Sequence, residues 1–192
     1  MIIAPAEVLE FWFGAPGSEQ YGRVRELWFG KSAATDELIG SRFGAAVEAA
    51  LRGELGHWAD ADARGALALI LLLDQFTRNV FRDSARAFAG DQLALQVAKR
   101  LVADGRHRQL APVERWFAYM PFEHSEDIAD QRESLRLFGD LAADGLAEPL
   151  AWAQKHHDVI ARFGLYPHRN ELLGRPSTAE EIEFLRQPGS RF

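Results

Sequence analysis

Ala66-Leu67-Ala68-Leu69-Ile70-Leu71-Leu72-Leu73-Asp74-Gln75-Phe76-Thr77-Arg78-Asn79-Val80-Phe81 changes character halfway along. A helix turns by about 100° per residue, so Ala66 to Leu73 is apolar on every side and needs cover all round. From Asp74 onward one side turns polar. Asp74 and Arg78 fall at i, i+4 on the azimuth of Leu67 and Leu71, and Gln75 and Asn79 fall near Ala68 and Leu72. Phe76, Val80 and Phe81 keep the other side apolar. The spacing predicts a helix over about 62–81 that runs from a dry core toward something polar. That polar end is either a satisfied internal network, a wet pocket or the rim of the domain.

The surroundings agree with an all-helical chain. Among the 192 residues Ala and Leu fill 53 positions, against 18 for Val, Ile and Thr. Ala and Leu lose little entropy in helices, whereas β-branched residues prefer strands. Pro5 opens a first helix to Phe13, and the spacing predicts a second over about 19–29. Thr35 is placed to cap a third, to about Arg52. Beyond the apolar segment come helices at 91–103, 112–120 (ending before Pro121), 125–143 (capped by Ser125) and 149–164. A capping box over Ser177 to Glu180 opens a last one to Arg186. About nine helices with tight turns imply one all-α domain over 1–192. It would be built of antiparallel helical hairpins, stacked as a tetratricopeptide-like right-handed array or packed as a compact bundle.

Composition excludes several classes. The absence of Cys removes disulfides, thiolate metal sites and thiol nucleophiles. A net charge of −6 argues against nucleic acid. The apolar run is too short to cross a bilayer, and the N-terminus lacks the basic start and apolar run of a signal peptide. The expectation is a cytoplasmic protein with no membrane partner. Gly30-Lys31-Ser32 resembles the end of a phosphate-binding loop, but Arg25 stands where the first Gly is required and no strand precedes it.

Two further clusters carry polarity that local structure does not require. Glu123 and His124 precede the cap of the 125–143 helix and read as loop residues. Carboxylates around His124 suit it to acid–base work. Gln131 sits in the apolar stripe of Ile128, Leu135 and Phe138, where it either caps a backbone group or faces a pocket. Then come His168, Arg169, Asn170 and Arg175 in a turn-rich loop, with guanidinium forks suited to an anion. His156, on the apolar face of the 149–164 helix, reads as a core residue. Glu123, His124 and His168 are thus the candidate catalytic residues. Asp74, Gln75, Arg78, Asn79, Gln131, Arg169, Asn170 and Arg175 are the candidate ligand contacts. No metal and no cofactor is expected, because no pair of histidines has zinc-finger spacing.

Together these segments resemble an uncharacterised, mainly bacterial family, domain-of-unknown-function family 924. The resemblance runs from Val8-Leu9-Glu10-Phe11-Trp12-Phe13-Gly14 through Leu73-Asp74-Gln75-Phe76-Thr77-Arg78-Asn79 and Pro121-Phe122-Glu123-His124-Ser125-Glu126. It continues with Asp130-Gln131, Arg162-Phe163-Gly164, Pro167-His168-Arg169-Asn170 and Leu173-Gly174-Arg175, and closes on Pro188-Gly189-Ser190-Arg191-Phe192. It implies an all-α, tetratricopeptide-like fold and no established activity. Pro often stands in that family where this chain has Thr77, and would bend the helix there. Two functions remain open. One is a polar pocket for a small anionic molecule, with His and Glu available for acid–base catalysis. The other is a helical scaffold that presents a groove to a peptide or protein.

Overall fold

The computed structural model describes residues 3–190, so Arg191 and Phe192 of the closing motif lie outside the described residues. At its centre is the apolar segment. Helix α1 spans Pro5–Phe13, α2 Ala33–Leu51, α3 Gly56–Ala61 and α4 Ala63–Ile70. The chain then widens into a π-helical segment, Leu71–Phe76, before α5, Thr77–Val80. Asp62 caps this continuous rod through the Gly65 amide at 2.7 Å. Every residue of the π segment is buried, as are all of α4 except Arg64. Helices α6 (Asp91–Ala103), α7 (Pro112–His124), α8 (Ile128–Ala143), α9 (Glu148–Phe163) and α10 (Ala179–Leu185) follow. No strand occurs among the described residues.

The rod is covered all round, as its first half requires. α1, α3, α6 and α7 pack on α4, while α2 and α6 pack on the π segment. Trp12, Phe43, Phe76 and Phe117 interlock there. The Phe43–Phe76 centroids lie 5.0 Å apart, and Trp12 meets Phe117 edge-on at 5.6 Å. Such tilted contacts add to the gain from burial alone. Helices α7, α8 and α9 pack on one another in chain order, with short connections.

Several boundaries differ from the sequence reading. The expected helix at 19–29 is only a 3-10 turn, Glu26–Trp28. Long-range bonds hold this segment instead: Arg25 donates to the Phe11 and Trp12 carbonyls at 2.6 and 2.8 Å, and Trp28 Nε1 to Trp12 at 2.8 Å. The short α3 was not expected. Ser32, not Thr35, caps α2, accepting from the Thr35 amide at 3.2 Å. Asp127, not Ser125, caps α8, and the final capping box is Thr178 with Glu181.

The difference that matters most is α7, which passes through Pro121 and ends at His124. Glu123 and His124 therefore sit on a helix, not on a loop. Pro121 cannot donate the helical bond to the Phe117 carbonyl, and the open carbonyls at the end of the helix are taken up by other elements. Gln131 Nε2 donates to the Glu123 and Ser125 carbonyls at 2.7 and 2.6 Å, and the Tyr166 hydroxyl donates to Glu123 at 2.5 Å. No helix among the described residues is long and apolar enough to cross a membrane.

Candidate functional site

The polar end of the rod, the end of α7 and the loop after α9 meet around one cleft of about 590 Å³. Phe29, Phe88, Trp116, Met120 and Trp152 supply its apolar lining. Its polar lining comes from Gln75, Arg78, Asn79, Glu123, His124, His156, His168 and Arg169, together with the charged Lys31, Arg82, Asp83 and Glu148.

The π segment prepares the polar lining. Thr77 Oγ1 donates back to the Leu73 carbonyl at 2.9 Å and to that of Asp74 at 3.2 Å. Arg78 Nη1 also donates to the Asp74 carbonyl. Side chains thus bond backbone oxygens within the widened turn, and π-bulges recur at functional sites. The result turns Asp74 inward, to 0% exposure. Its Oδ1 lies 2.6 Å from His124 Nδ1 and 3.2 Å from Arg78 Nη1, and Gln75 donates to Oδ2. Burial alone would raise the Asp74 carboxyl. The charges of Arg78 and His124, with hydrogen bonds from His124 and Gln75, override it and hold the group well below the usual carboxylate range. An ionised carboxylate can only accept, so His124 Nδ1 carries the hydrogen toward Asp74 and Nε2 is the ring nitrogen left to other partners.

Arg78 turns its fork to Asp91, at 2.9 and 3.1 Å. Arg169 Nη1 reaches the same carboxylate at 3.2 Å. Two guanidiniums therefore share one carboxylate. Arg169 lies over the rings of Phe88 and Tyr166, at 4.7 and 4.6 Å from their centroids. Burial and the neighbouring Arg78 lower its pKa, with Asp91 opposing them, whereas Asp74 and Asp91 outweigh burial and raise that of Arg78. Beside them Glu123 Oε1 lies 2.8 Å from His156 Nδ1, which is also 2.9 Å from the Trp152 carbonyl. Glu123 Oε2 is buried with no hydrogen-bond partner among the described residues. The His124 and His156 rings are 6.1 Å apart.

Burial, then the positive charges of Arg169 and other neighbours, push His168 down to about 3. Its ordinary value is 6.5. The folded state therefore binds fewer protons than the unfolded chain between those values, and stability rises with pH across that interval. His168→Asn is expected to flatten the acid side of a plot of Tm against pH between about 6.5 and 3. An unchanged acid limb assigns the acid sensitivity to other groups.

Of the sequence candidates, Gln75, Arg78, Asn79, Glu123, His124, His168 and Arg169 line the cleft. Asp74 lies just behind it. Three others hold the walls in place and do not line it. Gln131 closes the end of α7, as described. Asn170 joins Ser177 and Glu181, both at 3.1 Å, and accepts from Arg175 Nε at 2.9 Å. Arg175 forks onto Glu126 at 2.7 and 3.0 Å, and Glu126 in turn accepts from the Tyr166 amide at 2.8 Å. This lattice fixes the loop that carries His168 and Arg169. Sequence reasoning missed Asp91, which reads as an ordinary first-turn acid, and placed His156 in the core. Trp152, one turn before His156, was the available signal that this stripe leads to the cleft. Among the described residues, no group of three or more His, Asp or Glu side chains is placed to hold a metal ion.

The profile of the family described as "bacterial protein of unknown function (DUF924)" matches residues 8–189. A solved structure of a protein of unknown function from Agrobacterium tumefaciens, ATU0120, is 39% identical in sequence. It superposes with a TM-score of 0.82, over 94% of this chain and 96% of that one. No protein of curated function matches the chain.

Proposed function

The chain belongs to this family of bacterial proteins of unknown function, and we propose that its cleft binds a small organic anion through Arg78 and Arg169. Arg169 carries the reading. The residue is 7% exposed, and its guanidinium shares Asp91 with a second guanidinium and has Nε buried with no partner among the described residues. A buried cation that is this sparingly compensated is stabilised by an arriving anion. The volume suits a small molecule, since such sites span roughly 300–1,000 Å³. The unusual polar groups gather in one cleft instead of spreading along a groove, which favours this reading over a scaffold for protein partners. His124, oriented by Asp74, is the group suited to acid–base work there. His168 is held neutral at pH 7 and so lacks the acidic proton of an imidazolium.

The test is isothermal titration with a panel of small carboxylates and phosphate esters. Arg169 is packed between two rings, so truncating it to Ala costs stability as well as contacts. Arg169→Lys keeps the charge but loses the planar fork. Its affinity for a bound anion is expected to fall by about 1.5–3 kcal/mol, the scale of a charge-assisted hydrogen bond. Wild-type protein that binds none of the panel removes the proposal.

A further inference from the structure

The cleft asks for more than an anion, and this step rests on the anion reading above. Glu123 is 3% exposed, and one of its carboxylate oxygens meets no donor among the described residues. Its other oxygen is met by His156, whose Nδ1 lies equally close to the Trp152 carbonyl. A buried carboxylate oxygen left bare is costly, and the group that best relieves it is a cationic N–H donor. Neither Arg78 nor Arg169 reaches it, since their carboxylate contacts among the described residues are with Asp74 and Asp91. Yet Arg78, Arg169 and Glu123 all line the same cleft. One small molecule can therefore span both poles.

Apolar side chains line the cleft as well. Phe29 and Trp152 are large side chains left 55% and 44% exposed, and both line this cleft. Trp116 lies 5.3 Å from Phe29, centroid to centroid, and Met120 and Phe88 extend the surface. A single exposed aromatic calls for no explanation, but several lining one cleft mark a surface that covers something.

We propose that the ligand is a zwitterion of the amino-acid type with a bulky apolar side chain. Its anionic end lies at Arg78 and Arg169, its protonated amine at Glu123 Oε2, and its side chain against Phe29, Trp116 and Trp152. No single pole accounts for the cleft: Glu123 alone would take any amine, and the two guanidiniums any anion.

Calorimetric titration with four probes separates the parts: phenylalanine, phenylpropionate (no amine), phenethylamine (no carboxylate) and glycine (no ring). Phenylalanine is expected to bind at least about tenfold more tightly than each of the others, the size of one lost polar contact. Glu123→Gln is expected to erase its advantage over phenylpropionate while leaving phenylpropionate itself bound. Phenylpropionate equal to phenylalanine in the wild type overturns the role of Glu123, and glycine equal to phenylalanine overturns the role of the aromatic lining. If all four fail while other carboxylates or phosphate esters bind, the zwitterion is wrong and the anion site stands. If no anion binds at all, both fall. The four wild-type titrations decide even where the Glu123 variant does not fold.

Discussion

Asp74→Ala is expected to lower the stability of the protein by about 3–5 kcal/mol, the range for breaking a buried ion pair. Asp74 is wholly buried and gathers His124, Gln75 and Arg78 on one carboxylate. Removing it leaves three donors in the interior, and only Arg78 has a second carboxylate to turn to, in Asp91. The effect belongs to pairing and not to volume, so Asp74→Asn should recover part of it at most. A urea melt reads the difference as a midpoint shift at constant slope. The pH dependence has a definite sign. The folded-state carboxyl is depressed, so its contribution is present above the ordinary value of 3.8 and is lost as pH falls through the folded value. The gap between wild type and variant should therefore close in strong acid. A loss of about 1 kcal/mol or less at neutral pH would give Asp74 the weight of a surface pair and overturn the account of it as the anchor of His124.

What the sequence made legible follows from periodicity. Ala66 to Leu73 is apolar on all sides, and a helix of that kind has to be central. The switch at Asp74 is as plain, although periodicity left a buried network, a wet pocket and the rim of the domain equally open. Helix α7 was only half legible. Pro121 is a sound local stop signal, but Tyr166, 43 residues from Glu123, supplies the missing cap. The segment 19–29 has helical composition, yet the carbonyls at the end of α1 claim its Arg25 and Trp28. Asp91 was hidden because an acid in a first turn already has a local reason to be there. In each case a contact between residues remote in sequence overrode a local preference. The π segment is the extreme example, since nothing in Leu71–Phe76 distinguishes a wide turn from an ordinary one.

Gly90→Ala is expected to destabilise the protein by about 3 kcal/mol or more, at or above the usual cost of overpacking. A Cβ at this position would lie 2.1 Å from the Leu73 carbonyl oxygen and 2.9 Å from its carbon. That oxygen cannot swing aside freely: it belongs to the buried π segment and already accepts from Thr77 Oγ1 at 2.9 Å. The close approach also sets the site. Leu73 precedes Asp74, and Gly90 precedes Asp91, so the contact brings the two carboxylates that hold Arg78 into register. The variant should therefore lose anion affinity along with stability. Gly40→Ala supplies the contrast. Gly40 lies within α2, and its added Cβ would meet nothing within 4 Å, so the better helix former should stabilise by up to about 1 kcal/mol. Opposite signs in paired urea melts would tie the loss at Gly90 to the Leu73 carbonyl. A stable Gly90→Ala protein would show that the π segment yields at little cost, and would detach the geometry of Arg78 from the packing of α6 against the rod.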